Sequence, residues 1–333
     1  MQNLYLSDVK ECDMWKIQKN SIEKHQQSID RLIEKKKKID AFRPLPAVIL
    51  DRLKENLSFE WTYNSNAIEG NTITLQETQL ILQEGITVKG KSLREHFETY
   101  NHDKAINTVY ALADISNPLR EIDILSIHSV VLNNLEEFFA GRIRNAGVRI
   151  NGANFLPPNA LKVPDLVEEL INYVNFNPDN LDPIVLATVF HHRFVWIHPF
   201  FDGNGRTVRL AMNLILMRAG FPPAIILKND RKKYYKALNQ ANNGNFDALL
   251  LLMIQACERS LTIYLNSLPN EGYDYQPIQT IVSEPAFPYG KAYVSLLARQ
   301  GKIDAYKEGK NWYTSKEAIE NYIDNRQRVR KLD

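Results

Sequence analysis

The stretch HPFFDGNGRTVR, residues 198–209, concentrates residue types that a packed core does not need. The chain before it, up to Ile197, carries apolar residues three and four positions apart, and the chain after it does so again. This spacing predicts two helices. Because Pro199 disfavours helical geometry at His198, we expect the first helix to end there and the second to begin near Asn204. HPFFDGNG is therefore predicted to be the loop between two helices.

The composition of this loop predicts an anion-binding site. Loop glycines let a ligand approach the backbone, and the first turn of the next helix offers unpaired N–H groups. Arg206 in that turn opposes the helix dipole by about 0.3–1 kcal/mol, which indicates a compensating negative ligand. Arg209 lies on the same helix face and can share a polyphosphate with it. Asp202 is placed to hold a divalent cation, and His198 to act as a general base.

The overall composition limits the other possibilities. The chain has 333 residues, 44% of them hydrophobic, and a formal net charge of +2, which argues against a general polyanion partner. Two distant cysteines, Cys12 and Cys257, exclude a disulfide framework and disfavour a zinc site. We expect a cytoplasmic protein without export signal or membrane span. The lysine run at residues 35–38 predicts a solvated helix face.

Most of the remaining chain has helical periodicity, with one exception before the loop. Asn151-Gly152 stands between alternating apolar residues in VRINGANF, which predicts a β-hairpin. Pro157-Pro158 ends its second strand. A turn-rich linker is predicted at 266–278, and it is followed by a helix, two short strands around Glu308-Gly309-Lys310 and a second helix. This order resembles the winged helix of excisionase and MerR-type DNA-binding proteins, a module that also docks proteins, and both roles stay open.

HPFFDGNGR resembles the signature of the Fic family, His-x-Phe-x-(Asp/Glu)-Gly-Asn-Gly-Arg, with a second arginine three residues later. The likeness extends over residues 60–260, and it implies a mainly α fold: a Fic/Doc-type helical core with a β-hairpin flap, plus the small C-terminal winged-helix unit. We expect an N-terminal helical region at 1–95, the catalytic core at 96–265, the linker at 266–278 and the C-terminal unit at 279–333. The signature positions present here are His198, Phe200, Asp202, Gly203, Asn204, Gly205, Arg206 and Arg209.

The resemblance implies transfer of AMP from ATP to a protein hydroxyl. His198 would deprotonate that hydroxyl, Asp202 would bind Mg²⁺, and Phe200 would fix the loop from the core. The main chain from Gly203 to Arg206, Asn204 and both arginines would hold the phosphates. The flap would bind the target segment by strand addition, and a later helix would line the adenine pocket. The residues implied are Ile150, Asn151, Gly152, Ala153, Asn154 and Phe155 in the flap, and Tyr234, Tyr235 and Asn242 in the pocket.

The segment SNAIEGN at residues 65–71 predicts a helix end with an unusual charge. Gly70 suits a left-handed cap, which places the Glu69 carboxylate at the negative end of the helix dipole, where a cation should compensate it. Ser65 and Glu69 also match the inhibitory pattern (Ser/Thr)-x-x-x-Glu-(Gly/Asn) of the same family. The resemblance implies that Glu69 pairs with Arg209 and obstructs the γ-phosphate, as in class II, self-inhibited members.

Three functions are compatible with these motifs. The first is a protein adenylyltransferase acting on a Ser, Thr or Tyr hydroxyl of a target or of the chain itself, with a homodimer allowed. The second is a nucleotide-sensing regulator that binds DNA through its C-terminal unit. The third keeps the site but removes AMP from a target, with Glu69 positioning water, or uses another nucleotide.

Overall fold

The computed structural model describes residues 17–114, 117–150, 152–153, 155–269, 274–284 and 287–330, with side chains up to residue 326. The predicted mainly α class is confirmed. The helices are α1 (Lys19–Asp40), α2 (Ala47–Ile68), α3 (Leu75–Glu84), α4 (Leu93–Ala113), α5 (Glu121–Val131), α6 (Val163–Phe176), α7 (Pro183–Ile197), α8 (Asn204–Arg218), α9 (Arg231–Ala241), α10 (Asp247–Asn266), α11 (Ile278–Val282), α12 (Lys291–Arg299) and α13 (Lys316–Arg330).

Helices α7 and α8 form the centre of the larger unit. Pro183 opens α7, where its missing N–H is one of the groups that a helix start leaves unpaired. Both helices are apolar on several faces, because α4, α5, α6 and α10 surround the pair. The loop 198–203 therefore joins two largely buried helices, which set its position.

The apolar residues form two separate cores. The larger runs from Ile17 to Leu268, and the smaller runs from Ile278 to Ile319. The division falls within the predicted linker at 266–278. By contrast, residues on both sides of the expected boundary at 95 and 96 share the larger core, since α2 packs against α4.

The smaller core belongs to a C-terminal unit with the expected order of helix, strand pair and helix. Its sheet has the order β1-β3-β2, all antiparallel, with β1 at Gln276–Pro277, β2 at Ala305–Glu308 and β3 at Asn311–Thr314. In the β2–β3 hairpin, which we call the wing, Tyr306 lies opposite Tyr313.

The wing is docked on the larger unit. Arg259 of α10 donates a hydrogen bond from Nε to the Lys307 carbonyl (3.1 Å), and its Nη2 lies 2.8 Å from Glu60 Oε2 on α2. The Lys307 ammonium lies 2.6 Å from Asp230 Oδ1, just before α9. One buried guanidinium thus joins the wing to the helix that ends at the predicted inhibitory motif.

The prediction that the lysine run at 35–38 forms a solvated helix face is wrong for its first residue, Lys35. Lys35 has only 3% of its side chain exposed, and its Nζ lies 2.6 Å from Asp304 and 3.3 Å from Glu258. It faces inward because α1 lies between α10 and the C-terminal unit, where two carboxylates require a buried cation.

The chain reverses its direction in the predicted flap, but the described residues form no β-ladder between the two arms. Gly152 has φ +80°, and the Ala153 N–H donates to the Ile150 carbonyl at 3.2 Å. No strand is present among the described residues of 148–155, and the only sheet described lies in the C-terminal unit. Asn151 and Asn154 lie outside the described residues. Pro157-Pro158 in the second arm lacks the two N–H donors that a ladder would need there.

Helix α10 is long and apolar enough to cross a membrane by length and composition, within the described part of the chain. Most of it is buried inside the protein, where it contacts α1, α7 and α9. It therefore meets those criteria as a central core helix.

Candidate active site

The loop between α7 and α8 holds two residues in left-handed conformations. His198 ends α7 with φ +51° and donates its N–H to the Phe194 carbonyl at 2.9 Å. Gly203, at φ +76°, caps the start of α8. An L side chain at position 203 would be strained, and its Cβ would lie 3.3 Å from His128. The loop is thus fixed at both ends by backbone geometry.

Asn204 closes this loop with its side chain. Its Oδ1 accepts the Phe200 N–H at 3.0 Å, and its Nδ2 donates to the Phe200 carbonyl at 2.8 Å. The amide predicted to contact phosphates therefore binds the loop backbone through its oxygen and through one of its two N–H groups. Phe200 faces the core, as expected, with 1% exposure.

His128 of α5 supports the same loop and was not predicted. Its ring stacks on Phe200 with 3.6 Å between centroids. Its Nδ1 accepts the Gly141 N–H, so Nε2 carries the proton that is donated to the Asp202 carbonyl, both at 3.0 Å. Burial lowers its pKa to about 4, which keeps the ring neutral and this tautomer fixed.

The proposed base, His198, is held neutral by its surroundings. Burial is the main cause that lowers its pKa to about 4, and the nearby Arg144 guanidinium acts in the same direction. The Glu69 and Asp202 carboxylates oppose this shift only in part. A neutral imidazole at physiological pH is the form that can accept a proton.

Arg206 and Arg209 present buried N–H groups that have no hydrogen-bond partner in the described residues. These groups are Nε and Nη1 of Arg206 and Nη1 of Arg209, and the two residues are 4% and 3% exposed. Arg206 lies 3.5 Å from Glu98 and 3.6 Å from Asp202, too far for good hydrogen bonds. Buried, unpaired guanidinium donors are costly, and an anionic ligand would satisfy them.

The ion pair implied by the inhibitory motif is present. Arg209 Nη2 lies 2.7 Å from Glu69 Oε1, while its other contacts go to the Ser65 hydroxyl and carbonyl at 3.0 and 2.9 Å. Glu69 caps the end of α2, and Arg231 Nε donates to the Ile68 carbonyl at 2.6 Å. Two guanidiniums therefore compensate the negative end of this helix.

Gly205 explains how the carboxylate reaches the loop. A Cβ at this position would lie 2.1 Å from Glu69 Oε1 and 3.2 Å from Arg209 Nη1. Only a glycine lets the Glu69 side chain lie directly on the first turn of α8. The Glu69 carboxylate thus lies at the predicted anion site, on the first turn of α8.

Asp202 is the carboxylate best placed for a cation at the loop. It is 44% exposed, it accepts the Gly203 N–H at 2.6 Å, and Arg94 Nη2 lies 3.0 Å from its other oxygen. The described residues contain no cluster of three or more His, Cys, Asp or Glu that could hold a metal by themselves. This donor set fits Mg²⁺ held by one carboxylate and substrate phosphates.

The three residues predicted for an adenine pocket differ in accessibility. Tyr234 is 1% exposed and its hydroxyl lies 3.1 Å from His191 Nε2, so it packs in the core. Asn242 Oδ1 lies 2.9 Å from His192 Nε2. Tyr235 is half-buried, with its hydroxyl 3.4 Å from the Ile68 carbonyl at the end of α2. Tyr235 and Asn242 stay candidates for base contacts.

Comparisons with known proteins agree with this geometry. A family model described as Fic/DOC family matches residues 118–216. A C. elegans structure described as Fic-1 (aa134–508) superposes with a TM-score of 0.66 at 32% identity, covering 73% of this chain and 72% of that one. The chain belongs to the Fic family. A Fic domain containing signaling protein from Bacteroides thetaiotaomicron has a TM-score of 0.65 at 28% identity, over 72% of this chain and 96% of its own.

Curated Fic relatives are longer than this chain. The Protein adenylyltransferase Fic of Nematostella vectensis is 39% identical over 248 residues, which cover 73% of this chain and 56% of the relative. Protein adenylyltransferase fic-1 of Caenorhabditis elegans is 36% identical over 66% of this chain and 43% of its own length. The chain thus spans about half the length of the curated relatives it matches.

Buried neutral histidines make the stability of this Fic protein sensitive to acid. Burial lowers the pKa of His192 to about 4 from the ordinary imidazole value of 6.5, so the unfolded state binds more protons between these two pH values. Its contribution is present above pH 6.5 and is lost as the pH falls toward 4. We expect the free energy of unfolding of the wild type to fall between pH 7 and pH 5. In His192→Gln, which keeps a donor toward Asn242, this fall should be smaller by roughly 1–2 kcal/mol. Urea titrations at both pH values measure this, and equal losses would refute it.

Proposed function

We propose that the chain is a protein adenylyltransferase, which transfers AMP from ATP to a hydroxyl on a protein side chain. The observation that carries the proposal is the set of guanidinium N–H groups on Arg206 and Arg209 that find no hydrogen-bond acceptor in the described part of the chain, beside the buried neutral His198. An anion with several negative oxygens satisfies these donors better than a single carboxylate can. Family membership and the names of the curated relatives support the same activity.

The phosphates of ATP would be bound by the main chain at the start of α8 and by both arginines. Tyr235 and Asn242 are the candidates for the base. Asp202 would hold Mg²⁺, and a bound Mg²⁺ supplies neutralisation of phosphate charge. Arg94 lies 3.0 Å from Asp202, so the guanidinium and the cation would share this carboxylate.

The reaction needs one base and good positioning. His198 accepts the proton of the target hydroxyl as its oxygen attacks the α-phosphorus, so the O–P bond to the target forms. The bond between the α-phosphorus and the bridging oxygen breaks, and pyrophosphate leaves. The chain contributes charge neutralisation and orientation, the two main demands of this type of transfer.

Glu69 would hold this activity in check. Its carboxylate lies on Gly205 and on Arg209, where the phosphates would bind. Substrate ATP therefore has to displace a charged group of the chain itself before Arg209 can contact it.

The protein substrate would bind beside the flap. A cleft of about 540 Å³ lies between residues 145–149 and 156–161. Leu156 and Leu161 on its second side are 72% and 87% exposed. Such apolar side chains suit an extended peptide whose Ser, Thr or Tyr hydroxyl reaches His198. The chain itself is one candidate substrate.

The position of the label tests the transferred group. In a Glu69→Gly protein with Mg²⁺, we expect ATP labelled at the α-phosphate to leave its label on protein, and ATP labelled at the γ-phosphate to leave none. Chelation of Mg²⁺ or Asp202→Asn should lower α-label incorporation at least tenfold, since one carboxylate holds the cation. Protein-bound γ-label, or no label from either, would contradict the proposal.

The other candidates have less support. Removal of AMP, with Glu69 positioning water, would appear as release of AMP from labelled protein by the wild type. DNA binding by the C-terminal unit has no observation in its favour. Lys307 of the wing, a cation that could contact phosphate, is paired with Asp230 of the larger unit.

A further inference from the structure

Arg144 is a buried guanidinium at the entrance to the flap, and no motif draws attention to it. It is 1% exposed. Its Nε donates to the His198 carbonyl at 2.8 Å, Nη2 to the Pro158 carbonyl at 2.7 Å and Nη1 to the Ala146 carbonyl at 2.9 Å. Its own N–H donates to the Pro199 carbonyl at 2.9 Å. One residue therefore contacts three separate segments of the chain.

The charge of Arg144 is held by neutral acceptors. Burial lowers its pKa, and no charged group of the described residues offsets that effect. Burying a cation among carbonyls is costly unless its donors are satisfied. The planar fork of arginine reaches carbonyls in different directions, which the single nitrogen of lysine cannot do. The bonding pattern thus requires this side chain specifically.

Two of these contacts act on the proposed base. His198 has a left-handed backbone, and a non-glycine residue keeps that conformation only where its neighbours hold it. Arg144 binds the carbonyls of His198 and Pro199, which fixes the peptide plane that follows the base. The direction in which the imidazole leaves the loop depends on this plane.

The other two contacts act on the segment proposed to receive the target. Ala146 and Pro158 are the points where the chain enters and leaves the flap. Arg144 joins them to each other and to the base. The distance between a bound target segment and the imidazole is therefore set through one side chain.

We propose that Arg144 is a positioning residue, which presents the target hydroxyl to His198 by tying both ends of the flap to the carbonyl of the base. This inference rests on the proposed function. Arg144 touches neither nucleotide nor reacting atoms in this scheme, so its loss should affect transfer and spare nucleotide binding. Misplacement of reacting groups by about 1 Å costs on the order of a hundredfold in rate.

The test compares Arg144→Lys with the matched control Arg142→Lys, both in the Glu69→Gly background. Arg142 lies two residues earlier, is exposed and stacks on the ring of Phe138 at 5.6 Å. We expect Arg144→Lys to lower kcat by roughly tenfold to a hundredfold, with the KM for ATP within twofold of the control. Amide hydrogen exchange across residues 145–162 should become faster in Arg144→Lys alone.

The outcomes separate this inference from the proposed function. Equal kcat values for the two lysine variants would overturn the role of Arg144, and so would unchanged exchange across 145–162. Arg144→Lys losing ATP affinity together with transfer would show a general structural role instead. If the Glu69→Gly parent incorporates no AMP, the proposed function fails, and the exchange comparison still decides whether Arg144 ties the flap.

Discussion

A Glu69→Gly protein should incorporate AMP roughly ten to a hundred times faster than the wild type. Glu69 Oε1 accepts a hydrogen bond from Arg209 Nη2 at 2.7 Å, in which both partners are charged. Bonds of this kind contribute about 1.5–3 kcal/mol, which corresponds to a factor of about ten to a hundred. Removing the carboxylate frees Arg209 and the space on Gly205 for phosphate. Incorporation of α-labelled ATP over time measures the effect.

The matched control for this change is Glu84→Gly. Glu84 also ends a helix just before a glycine, it is exposed, and it is not among the described contacts of Arg209. Its replacement should leave incorporation at the wild-type level. A second readout is independent of catalysis: Glu69→Gly leaves the buried Arg209 without its carboxylate, so ATP should raise the melting temperature more than in wild type. Equal labelling of Glu69→Gly and wild type would refute the inhibitory role.

His198→Ala should remove AMP transfer in either background. A positioned general base contributes about a hundredfold to ten-thousandfold, and the chain offers no second imidazole in the loop 198–203. ATP should still raise the melting temperature of the variant, because the arginines and the start of α8 are unchanged. His96→Gln, on α4 with contacts to the Val88 N–H and the Ser92 carbonyl, is the control expected to stay active.

The pH dependence of the same reaction gives a sharper test of the base. Burial lowers the pKa of His198 to about 4, so the neutral, proton-accepting form persists well below pH 6.5. We therefore expect the acid limb of kcat/KM for the Glu69→Gly protein to lie nearer pH 4 than pH 6.5. An acid limb at 6.5 would show an exposed imidazole, and residual transfer in His198→Ala would remove the residue from its assigned role.

Local signals in the sequence were sufficient to predict the loop and the pairing of Glu69 with a cation. Proline at 199 and the glycines before α8 determine where two helices meet, and the charge at Glu69 predicts a nearby cation. The helix junction and the charge at Glu69 can each be predicted from residues a few positions apart, together with one known family motif. The structure accordingly brings Glu69 to Arg209, which lies 140 residues further along the chain.

Long-range contacts could not be predicted in the same way. Arg142 and Arg144 stand in the same short segment, and nothing in their spacing indicates that the second is buried. Lys35 looks like its three lysine neighbours until α10 and the C-terminal unit cover it. His128 does leave a signal, a single histidine in the apolar run of α5, but its partners at Gly141 and Asp202 are set by tertiary packing.

The strand prediction for the flap shows a different limit. Asn-Gly between alternating apolar residues correctly predicts the chain reversal at Gly152. A ladder also needs donors on both arms, and Pro157-Pro158 has none. Arg144 instead donates hydrogen bonds to carbonyls at the two ends of the flap, so the arms of the flap are joined through a side chain.

The contacts of Arg259 have a thermodynamic consequence for the C-terminal unit. A ligand that needs the inner side of the wing has to separate Lys307 from Asp230 and from the guanidinium that also contacts Glu60. The binding free energy of that ligand is then less favourable by the free energy with which the wing is docked. By reciprocity, whatever loosens the α2 helix at Glu60 would also weaken the docking of the wing. The Fic core and any such ligand are therefore competitors for one surface.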